Sequence, residues 1–348
     1  MVWRGLIHCY GDRLAISRSA RPVTLMEGNT PLIRAPRLAE VIAPGCDLYL
    51  KYEGMNPTGS FKDRGMTGAI TQAVADGSQA VICASTGNTA ASAAAYSARA
   101  GLRCIVLIPD GKIAMGKLAA AIAYGAEIVR IEGSFDDALD MVREIVEAAP
   151  LTLVNSVNPV RLEGQKTAAW EMSAALDSPP DWLCLPVGNA GNITAYWQGF
   201  KDEDERWGKL PRILGAQAEG SAPIVFGKRV EKPETIATAI RVGNPARWQQ
   251  ALNALKESSG HILAVSDAEI LDAYRLVSRL EGVFCEPSSA AGLAGLRRQV
   301  LAGNIDVKGK TVAAVLTGHG LKDPDSAIRD AHLPDAIPAD LDHLRQVL

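Results

Sequence analysis

From about residue 79 the chain alternates short apolar, β-branched runs with longer segments of helical periodicity. Runs of this length and composition predict strands. The predicted strands cover residues 79–85, 103–109, 127–131, 151–154, 182–187, 212–216, 262–265 and 311–316. Helical segments that separate strands act as crossovers between parallel neighbours. The pattern therefore predicts an α/β protein with two open, twisted, mainly parallel sheets and helices on both faces.

Helices are predicted at 88–100, 113–124 and 134–148, and the first two end on Gly101 and Gly125. Ser266 with Glu269 three residues later forms a capping box, which predicts a helix that ends near Gly282. We expect two α/β units in close contact. The cleft between such units is the usual place for a ligand.

Composition and charge exclude several classes of binding partner. Of 348 residues 36 are basic and 39 acidic, a net charge of −3, and no Lys/Arg stripe predicts nucleic-acid binding. The longest uncharged apolar run, 118–126, is far shorter than the roughly 20 residues that cross a bilayer, so we expect neither membrane insertion nor secretion. The chain has 53 Ala and 32 Gly but 18 aromatic residues, which favours close packing of helices and close approach of backbone to a ligand. Six scattered cysteines predict reduced thiols of a cytoplasmic protein, without disulfides or zinc.

The first candidate motif spans residues 56–64, Asn-Pro-Thr-Gly-Ser-Phe-Lys-Asp-Arg. Pro57 and Gly59 predict a turn, and Ser60 with Asp63 is interpreted as an acidic variant of the capping box. Lys62 then lies in the first helical turn, where the helix dipole disfavours an ammonium. A lysine that leans toward the neutral amine is suited to attack a carbonyl and form a Schiff base.

Two further loops lie between a predicted strand and a predicted helix. The loop 85–89, Ser-Thr-Gly-Asn-Thr, offers hydroxyls and free N–H groups that suit a carboxylate or phosphate. The loop 188–192, Gly-Asn-Ala-Gly-Asn, can hold a phosphate with its backbone N–H groups. It lacks the Gly-x-Gly-x-x-Gly pattern of dinucleotide binding.

A fourth loop, 317–323, reads Thr-Gly-His-Gly-Leu-Lys-Asp and follows the last predicted strand, so Thr317 points into the cleft. The segment 111–118 fails as a triphosphate loop because Leu118 stands where Ser or Thr must hold magnesium. The histidines show no ligand spacing, and no Gly-x-Ser-x-Gly motif is present, so neither a metal site nor serine-hydrolase chemistry is predicted. The tail from Ala327 is interpreted as a surface wrap.

Together these motifs resemble the pyridoxal-phosphate enzymes of the tryptophan-synthase-β fold type (fold type II), and among them the short-form threonine synthases. The resemblance extends from Glu-Gly-Asn-Thr-Pro-Leu at 27–32 to the loop 317–323 and includes the segment 234–245. It implies a lyase of threonine biosynthesis with pyridoxal 5'-phosphate as cofactor and O-phospho-L-homoserine as substrate. It also implies a cytoplasmic homodimer with a large cofactor-binding domain, 1–55 plus 156–348, and a small domain, 56–155.

The resemblance assigns roles to individual residues. Lys62 is expected to be catalytic and to carry the cofactor, Asn88 to bond its ring hydroxyl, and Thr317 to meet its ring nitrogen. Its phosphate is expected in the loop of Gly188, Asn189, Ala190, Gly191 and Asn192. The residues expected to bind substrate are Ser85, Thr86, Thr89, Asn155, Ser156 and Arg161. Lys112, Lys117 and Lys166 are weaker candidates for anion binding, each interpreted first as a surface lysine.

Three alternatives stay open at this point. The first is a serine/threonine dehydratase-type deaminase on the same fold, although its glycine-rich phosphate loop and its last loop usually differ from the loops at 188–192 and 317–320. The second is a non-catalytic protein that binds pyridoxal phosphate. The third is a plain α/β scaffold without cofactor.

Overall fold

The computed structural model describes residues 2–110, 115–133, 135–329 and 335–348. Its ten strands are β1 Leu32–Arg34, β2 Asp47–Tyr52, β3 Ala80–Ala84, β4 Arg103–Pro109, β5 Glu127–Ile131, β6 Leu151–Leu153, β7 Trp182–Pro186, β8 Arg212–Ala218, β9 His261–Val265 and β10 Thr311–Leu316. They form a six-stranded sheet of order β1-β2-β10-β7-β8-β9 and a four-stranded sheet of order β5-β4-β3-β6. Every pair is parallel except β1 with β2. The predicted fold class and all eight predicted strands are confirmed.

Strands β1 and β2 were not predicted. β1 has three residues, and β2 interrupts its apolar positions with Asp47, Tyr49 and Lys51. Lys51 is nevertheless 2% exposed, because it forms an ion pair with Glu171. A strand that buries a paired lysine lacks the continuous apolar run that marks a central strand.

The described residues form fifteen α-helices: α1 Leu6–Tyr10, α2 Pro36–Ile42, α3 Lys62–Ala75, α4 Asn88–Ala100, α5 Met115–Ala123, α6 Phe135–Ala148, α7 Val160–Leu176, α8 Gly191–Lys201, α9 Asp204–Trp207, α10 Pro223–Phe226, α11 Trp248–Glu257, α12 Asp267–Glu281, α13 Ala291–Leu301, α14 Pro324–Ile328 and α15 Leu341–Val347. Short 3-10 turns lie at Gly11–Arg13, Glu53–Met55, Thr238–Ile240, Pro287–Ala290 and Gly320–Lys322. The three predicted crossover helices correspond to α4, α5 and α6; residues 113, 114 and 134 of those predictions lie outside the described part of the chain.

Both faces of each sheet are covered. Along β7, Trp182 and Cys184 belong to one apolar cluster, with α2, α12 and α13, while Leu183 and Leu185 belong to another, with α7, α8 and α11. In the four-stranded sheet α3 and α4 cover one face and α6 the other. Alternation of buried residues between two faces is what a strand buried on both sides requires.

Helix α7 joins the two sheets by packing against both α3 and α8. At both crossings a glycine allows backbones to touch: a Cβ on Gly164 would lie 1.7 Å from the carbonyl oxygen of Arg64, and one on Gly199 would lie 2.2 Å from that of Lys166. At these two crossings, small residues therefore allow close contact between helices.

The predicted capping box at Ser266 is confirmed: its hydroxyl accepts from the backbone N–H of Glu269, and the Glu269 carboxylate accepts from that of Ser266. The acidic variant predicted at Ser60 is wrong. The residue before α3 is Phe61, and its helix has no side-chain cap. Asp63 turns instead to Thr58 and to Ser92 on α4, because those buried donors need an acceptor.

The remaining expectations concern the surface and the cysteines. All six cysteines are free; Cys9 is exposed, Cys46 is partly buried and the other four are buried. Within the described ranges the side chains form no cluster that could hold a metal ion, and no helix is long and apolar enough to cross a membrane. Residues 335–348 of the tail are exposed, as predicted for a surface segment.

Candidate active site

Three chain segments come together just after the carboxyl end of β10. Residues 317–320, which follow β10, lie between residues 59–61 on one side and residues 284–286 on the other. Backbone hydrogen bonds fix both borders: Phe61 N–H donates to the Thr317 carbonyl at 3.0 Å, and Glu286 N–H donates to the Gly318 carbonyl at 3.0 Å. The start of α3, the last loop and the segment after α12 are thus held in register.

Lys62 is the first residue of α3, as predicted. Its ammonium nitrogen lies 4.2 Å from the centre of the Phe61 ring. The pKa of Lys62 is lowered to about 7, chiefly by burial and also by the charge of Arg161, against the opposing effect of Glu286. The neutral amine is therefore available near neutral pH, which a nucleophile or a general base needs.

Behind Lys62 the loop is fixed by buried charge. Asp63 accepts from the Thr58 N–H at 2.7 Å and from the hydroxyls of Thr58 and Ser92, both at 2.6 Å. Arg64 forms ion pairs with Glu53 and Glu171, each at 2.6 Å. Arg64 is 1% exposed, so these contacts anchor the first turn of α3 in the protein interior.

The loop 85–89 leads from β3 into α4. The Ser85 hydroxyl accepts from the N–H groups of Gly87, at 3.2 Å, and Ala90, at 3.3 Å, so it caps the helix. Gly87 has no protein atom of the described residues within 4 Å of the place where a Cβ would lie. Thr86 and Thr89 are partly exposed beside this open space. The loop thus leaves room at a helix N-terminus, a position that favours anions.

The loop 188–192 leads from β7 into α8. Ala190 takes the left-handed conformation with φ of 61°, and Gly191 has room for a Cβ, with only Gln165 at 4.0 Å. Asn189 is held from behind, since its carbonyl oxygen accepts from Arg247 N–H at 3.3 Å. The Asn192 amide nitrogen is buried and lacks a hydrogen-bond partner among the described residues.

Asn88 and Thr317 both contact a residue that the sequence reasoning missed, Glu286. The Asn88 amide donates to the Glu286 carboxylate at 3.2 Å, and the Thr317 hydroxyl donates to it at 3.3 Å. Glu286 is 5% exposed. A signal was present: it is the one charged residue between Gly282 and Leu296, a stretch otherwise apolar or small. Such a buried carboxylate is retained only with partners.

The predicted substrate residues divide into two groups. Arg161 is 1% exposed and donates to the Val154 carbonyl at 3.1 Å, while its Nε lacks a partner within the described chain. Burial lowers the pKa of Arg161 to about 10. The side-chain amide of Asn155, by contrast, forms two hydrogen bonds with the backbone of Ala84, both at 2.9 Å.

A second missed residue holds the loop that contains Ser156. Arg247 donates to the Ser156 carbonyl at 3.0 Å and to the Val157 carbonyl at 3.1 Å. Its own N–H reaches Asn189, so it links the loop after β6 with the loop after β7.

Of the three weaker lysine candidates, only Lys166 has a side chain that the structure describes. Lys166 is 8% exposed and forms ion pairs with Glu163 and Asp202, so its interpretation as a surface lysine is wrong. Lys112 lies outside the described residues, as does the side chain of Lys117. His319 contacts Tyr52 and Phe284 through its ring and belongs to no metal cluster of the described chain.

These residues fit pyridoxal phosphate. A buried amine of lowered pKa supplies the nucleophile, and the open space at Gly87 and Gly191 leaves backbone accessible. The unpartnered Asn192 amide of the loop 188–192 is a donor that a phosphate would satisfy. The described residues thus provide the donor set for a phosphorylated aldehyde.

Comparison with known proteins agrees with this chemistry. Residues 23–318 match the family described as "Pyridoxal-phosphate dependent enzyme". A threonine synthase of Synechocystis sp. is 58% identical over 94% of this chain and 86% of its own length. One of Halalkalibacterium halodurans is 57% identical over 99% of this chain and 98% of its own. Among solved structures, cysteine synthase of Entamoeba histolytica shares the fold, with a TM-score of 0.76 at 22% identity over 93% of this chain and 96% of that one.

Proposed function

Because the chain belongs to the pyridoxal-phosphate-dependent enzymes, and within them to the threonine synthases, we propose that it converts O-phospho-L-homoserine and water into L-threonine and inorganic phosphate. In this conversion the bond between Cγ and the phosphate oxygen breaks, Cγ gains a hydrogen, and water supplies the hydroxyl at Cβ. The observation that carries the proposal is the pairing of Lys62 with Arg161. Lys62 is an amine of lowered pKa, and the charge of Arg161 contributes to that lowering. Arg161 is a buried guanidinium without an acidic partner among the described residues.

The cofactor, when bound, supplies an aldehyde that takes up an amine and a ring that withdraws electron density from neighbouring carbons. We assign Lys62 as its attachment point and the loop Gly188, Asn189, Ala190, Gly191 and Asn192 as the holder of its phosphate. Asn88 and Thr317 are proposed to face its ring. The N-terminus of α8 behind the phosphate loop adds the favourable end of a helix dipole.

Lys62 is proposed to move the protons of the reaction. Its neutral amine accepts a proton from the substrate Cα and then from Cβ, and as an ammonium it returns protons where the product needs them. A base with a pKa near the working pH does both tasks well, since it is neither too weak to accept nor too strong to release.

The substrate's two anionic ends need separate partners. Arg161 is proposed to hold the leaving phosphate, with its free Nε and the Ser156 hydroxyl as donors. Asn155 is proposed to contribute chiefly by positioning the loop, because its amide is engaged with Ala84. Ser85, Thr86 and Thr89 are proposed to receive the carboxylate at the start of α4. Buried positive charge next to a leaving anion stabilises it more strongly than the same charge in water.

We also propose a division into two domains and a homodimeric state. The division into a large domain, 1–55 plus 156–348, and a small domain, 56–155, is supported by the separate four-stranded sheet of β3 to β6. A homodimer in the cytoplasm is proposed from the family resemblance.

The test is to purify the full chain, record its absorbance spectrum and measure phosphate release from O-phospho-L-homoserine. We expect a near-visible band from the lysine-bound cofactor and stoichiometric threonine and phosphate. Ammonia from serine or threonine as the main activity would point to the dehydratase instead. The band without turnover of any of these substrates would indicate a cofactor carrier, and its absence after addition of the cofactor would overturn the proposal.

A further inference from the structure

Glu286 occupies the centre of the site without a role in the reaction described above. It lies between α12 and the 3-10 turn Pro287–Ala290, with its backbone bonded to Gly318. A Cβ on Gly318 would lie 2.6 Å from the carboxyl carbon of Glu286, so a glycine at 318 is what admits this carboxylate. The chain has fitted a buried acid closely against its last loop.

The carboxylate faces groups from every element around it. Lys62 comes from the start of α3, Asn88 from the start of α4, and Lys322 from the turn after β10. The neighbouring Cys285 thiol has its pKa raised mainly by burial and also by Glu286. Burial raises the pKa of Glu286, while the Asn88 hydrogen bond and the charges of Lys322 and Lys62 act in the opposite direction. Two lysine side chains thus face one carboxylate.

The contact with Thr317 has a directional consequence. A hydroxyl has one proton, and an ionised carboxylate can only accept. When Thr317 donates to Glu286, its oxygen can offer only lone pairs to anything else in the cleft. Ser289, whose hydroxyl lies 3.0 Å from that of Thr317 and accepts from the Gly318 N–H at 3.1 Å, fixes the same loop from below.

We propose that Glu286 is a positioning residue of the reaction: through its bond to Thr317 it turns the lone pairs of that hydroxyl toward the cofactor's ring nitrogen, which would bond there in its protonated N–H form, and through its bond to Asn88 it sets the orientation of that amide. The inference rests on the proposed function, because it assumes that Thr317 and Asn88 face the ring. Unlike a purely structural role, this role depends on both the charge of the Glu286 carboxylate and the length of its side chain.

The decisive variant is Glu286→Gln in the full-length, cofactor-loaded enzyme. It keeps the shape and removes the charge, so we expect the pH midpoint of the near-visible absorbance to move down by about one unit, as when one neighbouring charge is lost. We expect kcat to fall by about 10- to 100-fold, the range for loss of a partner that orients a functional group, with KM within about two-fold. Glu286→Asp keeps the charge but shortens the reach; its midpoint should stay near that of the wild type while kcat falls about 10-fold.

A double-mutant cycle separates action through Thr317 from a general effect. In a Thr317→Val background Glu286→Gln should lower kcat by less than about three-fold, because the bond to Thr317 is already gone and only the bond to Asn88 remains to be changed. The matched control is Glu203→Gln, which removes another buried carboxylate, 4% exposed and paired with Arg13 at 3.0 Å, and should leave midpoint and kcat unchanged.

A wild-type midpoint in Glu286→Gln, additive effects with Thr317→Val, or full kcat in Glu286→Asp would overturn the inference. If Glu286→Gln does not fold, the Asp variant alone decides by its kcat. Failure of the proposed function would show differently, as absence of the absorbance band or of phosphate release in the unmodified enzyme.

Discussion

Lys62 and Arg64 leave the same first turn of α3 toward opposite environments. Arg64 meets Glu53 and Glu171; burial alone lowers its pKa, but the two acids outweigh burial and raise it. Lys62 lies against the ring of Phe61, and burial, together with the positive charge of Arg161, lowers its pKa to about 7. A buried charged side chain with a full set of partners stabilises the fold. A buried side chain whose surroundings disfavour its charged form indicates a site of ligand binding or catalysis.

The largest effect is expected at the reactive amine. Lys62→Ala should lower turnover by about 10⁴-fold, the upper end for loss of a catalytic base, and should abolish the near-visible band. Spectroscopy and phosphate release measure the two effects. Lys201→Ala, at a half-exposed lysine paired with Glu257, is the control and should change neither. A coloured, active Lys62→Ala enzyme would contradict the assignment.

The scaffold side predicts a loss of stability. Arg64→Met leaves Glu53 and Glu171 buried with fewer partners, which should cost about 3–5 kcal/mol in the free energy of unfolding. Denaturant unfolding of the cofactor-free protein measures it. Arg103→Met, at an exposed pair with Glu127, should cost less than about 1 kcal/mol. Equal costs for both variants would show that the buried network is not the anchor inferred here.

Arg161 is as buried as Arg64 yet lacks an acidic partner among the described residues. Arg161→Met should change stability by no more than about 1 kcal/mol, the value of its bond to Val154. It should lower kcat/KM for the phosphorylated substrate by about 100-fold, with cofactor absorbance unchanged. Arg161→Lys, which keeps the charge but not the fork, should recover part of the loss. A large loss of stability would place Arg161 with the scaffold.

The smallest effect is a change of midpoint. In the cofactor-free enzyme the rate of Lys62 labelling by an amine reagent should rise with pH through a midpoint near 7, because only the neutral amine reacts. Arg161→Met should move that midpoint upward, since the guanidinium charge disfavours the ammonium. Mass spectrometry of the labelled peptide across pH measures both. A midpoint near the ordinary lysine value of about 10.4 would remove the contrast with Arg64.

The sequence was informative wherever local chemistry decided the outcome. Strands from residue 79 onward are continuous apolar runs, and Ser266 caps its helix through residues three positions away. Lys62 was placed correctly because Pro57 and Gly59 mark a turn before a helical pattern. Glycine loops after strands likewise lie at helix starts, as their composition indicated.

Long-range partners were the part that could not be read from the chain. The helix cap predicted at Ser60 is wrong because Asp63 accepts a hydrogen bond from Ser92 on a different helix. Strand β2 is not predicted because its buried Lys51 is paired with Glu171, far away in sequence. Glu286 went unnoticed for the same reason: its meaning comes from Asn88 and Thr317, which are far away in sequence. Such contacts depend on topology, and spacing along the chain does not encode them.

The ladder of residues 59–61, 317–320 and 284–286 has a consequence for how the enzyme is made. The four-stranded sheet uses only residues 80–153 and can pair during synthesis, but β2 waits for β10, the last strand to leave the ribosome. The segment just before Lys62 therefore lacks its backbone partners at 317–318 until those residues have been synthesised. A polypeptide that stops before residue 317 would thus contain Lys62 without the loop that borders it in the folded protein.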